Sequence, residues 1–219
     1  MYKNKRIFGL ITARAGSKRL KNKNTLSLLG KPLFYYTVNE ALKSKYLDRV
    51  YLSTNDNKII KKIKNSSKVK LIKREKKFCT DKTKTEEVIL NFLKKYKNKF
   101  DIIFLLQPTS PLRKNFDIDN SIKKMLDNGS KAIISVSKDF KNIKDSIVIK
   151  KNFFYKKSKH KDIKKSYTVN GAIYAAENKF FMERKTFITR KTLIYFMPKS
   201  RSIDIDTEKD FLLANKFLK

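Results

Sequence analysis

Two aspartates separated by a single residue stand out in a strongly basic chain. Asp204 and Asp206 lie in the run S-I-D-I-D-T at residues 202–207. In an extended stretch, residues i and i+2 project to the same side, so the two carboxylates converge while the neighbouring isoleucines face the core. Such a pair suits a hard divalent cation such as Mg²⁺, held together with waters and phosphate oxygens. The alternative is that Asp206 or Thr207 only caps the helix that follows.

Basic side chains recur in the loop that follows the first predicted strand. Arg14, Lys18, Arg19 and Lys23 are able to neutralise a triphosphate, and Gly16 lets a ligand approach the backbone closely. Arginine is scarce, with 9 residues among 54 Lys+Arg, so two arginines this close together favour a binding loop over an ordinary surface loop. The glycine patterns of the Walker loop and of the dinucleotide fingerprint are both absent.

A third candidate segment, Q-P-T-S-P-L-R at 107–113, follows the most apolar predicted strand. Its two prolines stiffen the loop, because proline fixes its own φ angle. We expect Gln107, Thr109, Ser110 and Arg113 to face a ligand. The alternative is a rigid turn that caps the next helix.

The fourth candidate segment, N-G-A-I-Y at 170–174, begins with an amide donor and acceptor, Asn170, followed by a flexible glycine. Asn-Gly is also the commonest tight-turn dipeptide. Ligands bind open α/β sheets outside the carboxyl ends of the strands. We therefore expect all four segments to be loops at that edge of one sheet.

The four segments together closely resemble the CMP-N-acylneuraminate synthetases (acylneuraminate cytidylyltransferases). The motifs of that family occur in the same order along nearly the whole chain. The chain matches Q-P-T-S-P-L-R at 107–113, N-G-A-I-Y at 170–174 and S-I-D-I-D-T-E at 202–208. The family's A-R-x-x-S-K…K-N loop is matched by Ala13, Arg14, Ser17, Lys18, Lys23 and Asn24.

The resemblance implies a nucleotidyltransferase that takes CTP and a nonulosonic acid, a nine-carbon 2-keto acid sugar. The anomeric hydroxyl of the sugar would attack the α-phosphorus, giving the CMP-sugar and pyrophosphate. Arg14, Lys23 and Gln107 would be the catalytic residues. Lys23 would stabilise charge at the α-phosphate, and Gln107 would contact the sugar near the attacking hydroxyl. Asp204 and Asp206 would hold Mg²⁺.

The resemblance also implies a CTP site that includes a second loop on the side of the base. Arg74 and the segment 79–81 match the family pattern R-P-x-x-x-(S/T)-D, although Glu75 replaces the proline. The implied CTP-binding residues are Ala13, Arg14, Gly16, Ser17, Lys18, Lys23, Asn24, Arg74, Thr80 and Asp81.

One departure from the family concerns the sugar. The segment 138–168 is shorter than its counterpart and lacks the arginine that the family places just before N-G-A-I-Y. The sugar carboxylate still needs a cation when water is excluded. We expect Lys144 or Lys165 to supply it, with His160, Lys161 and then Arg113 as further candidates. The predicted sugar-binding residues are Gln107, Lys144, Lys165, Tyr167 and Asn170.

Strand-like and helix-like segments alternate through the first 136 residues. This alternation predicts an α/β fold with a mostly parallel central sheet and helices on both faces, Rossmann-like, as in the nucleotide-diphospho-sugar transferases that the chain resembles. The predicted strands are 7–11, 50–53, 69–72, 102–106 and 132–136, and the predicted helices are 32–44, one from 55–56, 85–96 and 116–127.

Beyond residue 136 the alternation breaks, and only 147–154 is strand-like before order returns at 169–175. A short helix, a strand at 193–197 and a last helix from 207 complete the expected pattern. We expect a single domain over 1–219, with 138–168 a small irregular lobe. In the resembling family this lobe makes much of the dimer contact, so a homodimer is expected.

Composition bounds the remaining possibilities. The chain has 219 residues, 40% hydrophobic and 12% aromatic, which is enough apolar material for one core. No apolar run approaches the roughly 18–20 residues that span a bilayer. No signal-peptide block opens the chain, and Cys79 is the single cysteine. We therefore expect a cytoplasmic protein with no membrane partner.

The net charge of +34 has two interpretations. The lysines are scattered over every segment, as codon bias toward A/T would produce, whereas selection for polyanion binding would localise them. Two alternatives to the main interpretation stay open: a nucleotidyltransferase that acts on Kdo, and a non-catalytic nucleic-acid-binding protein. We expect no specific nucleic-acid partner, because the sequence shows no localised basic face with aromatic platforms.

Overall fold

The computed structural model describes residues 1–63, 68–96, 99–138, 146–157 and 166–218. Within them the main sheet has the strand order β5-β4-β1-β6-β10-β7-β11-β9-β8, and β2 and β3 form a small separate hairpin. The elements are β1 (Ile7–Thr12), β2 (Ser27–Leu28), β3 (Lys31–Pro32), α1 (Leu33–Lys43), β4 (Arg49–Thr54), α2 (Asn57–Lys62), β5 (Val69–Lys73), α3 (Thr85–Lys95), β6 (Ile102–Leu105), α4 (Asn115–Asp127), β7 (Ala132–Ser137), β8 (Ser146–Lys150), β9 (Phe153–Lys157), β10 (Ser166–Glu177), α5 (Asn178–Arg184), β11 (Leu193–Phe196) and α6 (Glu208–Leu218).

The parallel part of the sheet agrees with the sequence-based prediction. Strands β5, β4, β1 and β6 pair in parallel, and so do β7 and β11. Strand β10 lies between β6 and β7 and runs antiparallel to both. The predicted α/β class is confirmed, and the reversed strand β10 is the feature that makes the sheet mixed.

Helices cover both faces of the sheet, as predicted. Helices α1 and α4 pack on one face, where Phe34 and Ile122 belong to the same buried cluster. Helices α3 and α5 pack on the other, where Phe92 and Phe181 are buried together. All four residues of β6 are buried, as expected for a strand covered on both sides.

The strand-like stretch 147–154 is two strands instead of one. Lys151 and Asn152 both have positive φ, 48° and 66°, the backbone of a two-residue hairpin turn that matches strand twist. The hairpin of β8 and β9 pairs with β10 and β11, so this part of the expected irregular lobe continues the main sheet. The rest of the expected lobe, 139–145 and 158–165, lies outside the described residues.

The expectation of a loop at residues 170–174 is wrong. These residues lie inside β10, where the pairing with β7 shifts register between Val169 and Tyr174. Gly171 has a φ of 75° there, which a residue without Cβ adopts at little cost. A β-bulge in a long strand therefore replaces the predicted turn.

Among the described residues, no helix is both long enough and apolar enough to cross a bilayer.

Candidate functional site

A cleft of about 610 Å³ opens at the carboxyl ends of β1 and β6. Four segments line it: the loop that follows β1, the loop that follows β6, the acidic segment before α6, and the stretch at the start of α3 that carries Asp81 and Thr85. The structure thus brings together parts of the chain that lie far apart in sequence. Six of the predicted CTP-binding residues line this cleft, namely Arg14, Ser17, Lys18, Lys23, Asn24 and Asp81.

Ion pairs hold four cations of the loop after β1. Arg14 Nη2 lies 2.5 Å from Asp81 Oδ1, and Lys18 Nζ lies 2.7 Å from Asp81 Oδ2. The hydrogen bonds from Lys18 and then from Arg14 lower the pKa of Asp81. Asp206 accepts the other two cations, from Lys23 at 2.7 Å and Arg19 at 2.8 Å.

Two hydrogen bonds fix the backbone of the same loop. Ala13 N–H donates to Ser53 O at 2.9 Å, which places Ala13 in the core and not in the cleft. The side chain of Asn24 donates from Nδ2 to Arg14 O at 2.9 Å. Its Oδ1 is buried and accepts no hydrogen bond from the described residues, which leaves an acceptor beside the cleft.

The acidic segment has the alternation expected from the sequence. Asp204 and Asp206 both line the cleft, whereas Ile205 between them is fully buried. The N–H of Ile205 donates to Thr109 O at 2.8 Å, which ties the segment to the loop after β6.

The start of α6 is capped by Thr207 and Asp210 and not by Asp206. Thr207 N–H donates to Asp210 Oδ2 at 2.8 Å, and Asp210 N–H donates back to Thr207 Oγ1 at 3.4 Å. This reciprocal pattern is a capping box at the start of α6. Because Thr207 and Asp210 cap the helix, the carboxylate of Asp206 is left to face the cleft.

The chemistry of the two carboxylates fits a hard divalent cation. The surrounding walls of the cleft raise the pKa of Asp204 by partial desolvation. A hydrogen bond from Thr109 opposes this rise, and the nearby charge of Asp206 adds to it. Carboxylates that disfavour each other's charge are stabilised by a shared cation. Within the described part of the chain no three His, Cys, Asp or Glu residues form a metal-binding group, so phosphate oxygens and waters would have to complete the coordination.

A second cavity, of about 660 Å³, adjoins the first. It lies beside the start of β10, and Thr168, Asn170 and Tyr174 contribute to its wall. Asp204 and Asp206 line both cavities. Two spaces for ligands therefore meet at the pair of carboxylates.

The predicted sugar-binding residues divide between several places. Gln107 lines the first cavity and Asn170 the second. Tyr167 packs against Phe196, with ring centroids 5.1 Å apart, and lines neither cavity. The cation candidates lie outside the described residues, and they are Lys144, His160, Lys161 and Lys165.

The prediction that Arg113 faces a ligand is wrong. Its side chain is fully buried and donates to Ala172 O at 2.6 Å, to Gln107 O at 3.3 Å and to Thr37 Oγ1 at 2.8 Å. Burial lowers the pKa of Arg113 to about 10. Arg113 joins the loop after β6 to the bulge of β10, and it is not available to hold a sugar carboxylate. Ser110, also expected to face a ligand, is buried too.

Besides Ala13, three of the implied CTP-binding residues lie away from the lining of the cleft. Arg74 is buried behind it and donates to Ser53 O at 3.3 Å, and burial lowers the pKa of Arg74 to about 10. Thr80 shares a hydrogen bond of 2.8 Å with Thr83. Gly16 has a φ of 79° in the loop, but it does not line the cleft.

Sequence reasoning missed two threonines of the cleft, Thr12 and Thr85. Thr12 is the last residue of β1, so its position at the strand end was a usable signal. Thr85 begins α3, far along the chain, and only the packing of that helix brings it to the cleft.

Comparison with known proteins identifies the family of the chain. A family model described as cytidylyltransferase matches residues 8–217. The chain belongs to the cytidylyltransferase family.

Curated relatives of this cytidylyltransferase share about a third of its residues. A CMP-N,N'-diacetyllegionaminic acid synthase from Legionella pneumophila is 33% identical over 227 residues, covering 97% of this chain and 96% of the relative. An N-acylneuraminate cytidylyltransferase from Escherichia coli is 34% identical and one from Streptococcus agalactiae 30%, over 95% and 93% of this chain. The chain spans about half the length of these last two relatives, 51% of each.

Solved structures show the same fold at low sequence identity. A CMP:2-keto-3-deoxy-manno-octonic acid synthetase complexed with CTP has a TM-score of 0.77 and 15% identity, covering 97% of this chain and 98% of the other. A 4-diphosphocytidyl-2C-methyl-D-erythritol synthase from Anaerococcus prevotii has a TM-score of 0.72 and 18% identity, covering 98% and 96%. The cytidylyltransferase therefore has the nucleotide-diphospho-sugar transferase fold that the sequence predicted.

Proposed function

We propose that this cytidylyltransferase transfers CMP from CTP to the anomeric hydroxyl of a nonulosonic acid and releases pyrophosphate. The observation that carries the proposal is the meeting of two cavities at Asp204 and Asp206. One cavity has four cations at its wall, as a triphosphate requires, and the other is free to take an acceptor.

CTP occupies the first cavity in this proposal. Arg14, Lys18, Arg19 and Lys23 exchange their carboxylate partners for phosphate oxygens when the triphosphate enters. Lys23 is the least exposed of these cations, so its charge is the least screened by water and acts most strongly on the α-phosphate. Asn24 offers its unpartnered Oδ1 to the nucleotide.

Asp204 and Asp206 would hold Mg²⁺, which when bound supplies positive charge to the phosphate oxygens. The residues of the chain do the remaining work. The preorganised cations stabilise charge that develops as pyrophosphate leaves. Gln107, which lines the first cavity, orients the attacking hydroxyl in line with the α-phosphate.

The nonulosonic acid occupies the second cavity in this proposal. Relatives named for N-acylneuraminic and N,N'-diacetyllegionaminic acids support a sialic-type acceptor. Lys144 or Lys165 stays the sequence-based prediction for the cation that pairs with the sugar carboxylate. We further propose a homodimer built on 138–168, supported by the resemblance to this family. A cytoplasmic location is proposed as well, supported by the single cysteine, Cys79.

The test measures pyrophosphate release with CTP and Mg²⁺ against N-acetylneuraminic, N,N'-diacetyllegionaminic and pseudaminic acids, with Kdo alongside. We expect turnover with at least one nonulosonic acid. CTP preference is expected too, because cytosine presents an N4 amino donor and acceptors at N3 and O2 that a fixed loop can distinguish. Comparable turnover with ATP or UTP would contradict the CTP assignment.

Two other results would replace the proposal by an alternative. Turnover confined to Kdo would indicate the Kdo-activating enzyme. Saturable RNA binding at low salt, without pyrophosphate release from CTP and any of the sugars, would indicate a nucleic-acid-binding protein.

A further inference from the structure

The side chain of Asn170 is almost entirely committed to contacts within the protein. It is 6% exposed, and its Oδ1 accepts from Ser135 Oγ at 2.6 Å and from Ala172 N–H at 3.2 Å. Its Nδ2 donates to Ser202 Oγ at 2.9 Å. An asparagine amide offers two acceptor sites and two N–H donors. Both acceptor sites are therefore used, and one N–H is left for any ligand.

The partners of Asn170 lie on separate elements. Ser135 belongs to β7, and its hydroxyl also accepts from Ile173 N–H at 2.8 Å, which fixes the bulge of β10 against β7. Ser202 opens the acidic segment and donates to Pro198 O at 2.8 Å. Asn170 thus connects the bulge in the sheet to the segment that carries the two carboxylates.

The neighbouring glycine brings the same bulge against the reactive groups. A Cβ at Gly171 would lie 2.7 Å from Gln107 Oε1 and 3.3 Å from Asp204 Oδ2. The backbone of the bulge is therefore in close contact with both side chains. Any shift of the bulge relative to the acidic segment would change the contact between the bulge and Asp204.

We propose that Asn170 is a positioning residue that acts through Ser202 to hold Asp204 and Asp206 toward the nucleotide. The proposal rests on the proposed function of the same site. It predicts that loss of the Asn170–Ser202 hydrogen bond weakens binding of CTP with Mg²⁺ in the absence of sugar. A residue that only contacted the sugar would change the sugar KM and leave nucleotide binding as it is.

The acidic segment keeps other anchors when this bond is removed. Ile205 N–H remains bonded to Thr109 O, and Arg201 remains paired with the buried Asp117, with both contacts from the guanidinium at 2.9 Å. The acidic segment is therefore expected to shift its position without unfolding. The variants are thus suitable for binding measurements.

The experiment is a double-mutant cycle with Asn170→Ala, Ser202→Ala and the double variant. Calorimetry measures the Kd of CTP with Mg²⁺, without sugar so that no turnover occurs. We expect each single variant to raise this Kd about tenfold, the effect of losing one buried hydrogen bond. The double variant should be no worse than the larger single one, because both remove the same contact.

Two further variants serve as controls. Ser202→Thr keeps the hydroxyl and should return the Kd close to the wild-type value. Ser130→Ala removes another buried serine hydroxyl, one that donates to Ala132 O at 2.9 Å away from the cleft, and should leave the Kd unchanged. Ser202→Ala leaves Asn170 in place, so it still tests the proposal if Asn170→Ala does not fold.

Opposite results are equally clear. An unchanged Kd in Asn170→Ala, with a raised sugar KM, would overturn the proposal and make Asn170 a sugar ligand. Additive effects in the double variant would overturn the route through Ser202. Wild-type protein that binds CTP with Mg²⁺ but turns over no nonulosonic acid would refute the proposed acceptor alone, whereas absence of CTP binding would refute both proposals.

Discussion

The two walls of the cleft at the carboxyl ends of β1 and β6 are held in different ways. On the loop after β1, ion pairs that water reaches hold the charged side chains, and Lys18 is 81% exposed and Asp81 41%. On the opposite wall, backbone and buried side-chain hydrogen bonds hold the acidic segment, through Ile205 and the Asn170–Ser202 contact. Exposed ion pairs contribute about 0–1 kcal/mol, so the first wall exchanges partners easily while the second stays preorganised.

Under the proposed function, this difference gives the two walls separate tasks. The basic wall can release Asp81 and take phosphate oxygens at little cost in free energy. The acidic wall keeps its carboxylates in place before any ligand arrives, as electrostatic catalysis requires. Lys23 differs from the other cations of the basic wall, because only 13% of its side chain is exposed and water screens its ion pair less.

The largest effect is expected from the acidic wall. Asp204→Asn or Asp206→Asn should lower kcat about a thousandfold, since a bound metal contributes several kcal/mol to charge stabilisation. The fold should persist because both side chains face the cleft. Pyrophosphate release and thermal unfolding measure the two effects. Normal activity in either variant, or full activity in EDTA, would remove the metal role, and Asp127→Asn on the exposed surface is the matched control.

A somewhat smaller effect is expected from the basic wall. Arg14→Ala and Lys23→Ala should each lower kcat/KM. The expected loss of transition-state stabilisation is about 3–4 kcal/mol, by analogy with the loss of one oxyanion donor. Lys3→Ala and Lys5→Ala, outside the loop, should have little effect. Steady-state kinetics with CTP compare the four variants. Equal losses in all four would favour a generic basic surface over a built phosphate site.

An intermediate effect is expected at the sugar. Lys144→Ala and Lys165→Ala, made separately, should raise the sugar KM about tenfold in at least one case and leave the CTP KM unchanged. A lysine binds a carboxylate as a point charge without the fork of arginine. KM values for both substrates are the measurement. No change in either variant or in the double variant would mean that the carboxylate is held elsewhere.

The smallest effect is expected at Asp81. Asp81→Asn removes the anion that competes with phosphate for Arg14 and Lys18, so CTP should bind about threefold more tightly without metal, within the range of an exposed ion pair. Titration at two salt concentrations measures it, and the gain should shrink at high salt. Weaker CTP binding would instead show that Asp81 contacts the nucleotide directly, as the family resemblance implies.

Local patterns predicted elements and pairs of neighbouring residues well. The alternation at 202–206 predicted correctly that both carboxylates share a side and that Ile205 is buried. The sequence also predicted helices where the structure has α1, α3 and α4. The hairpin turn was missed because Lys151-Asn152 lacks the glycine that usually marks such turns.

By itself, the sequence predicted most of the strands and helices and singled out four segments as candidates for chemistry, because hydrophobic period and residue type are local properties. The tertiary structure alone decided what each polar side chain does. The buried guanidinium of Arg113 donates hydrogen bonds to the carbonyls of residues 107 and 172. Asn170 lies within a strand, where Ser135 of β7 and Ser202 form hydrogen bonds with its side-chain amide. Those partners are distant in sequence, so no local pattern contains them.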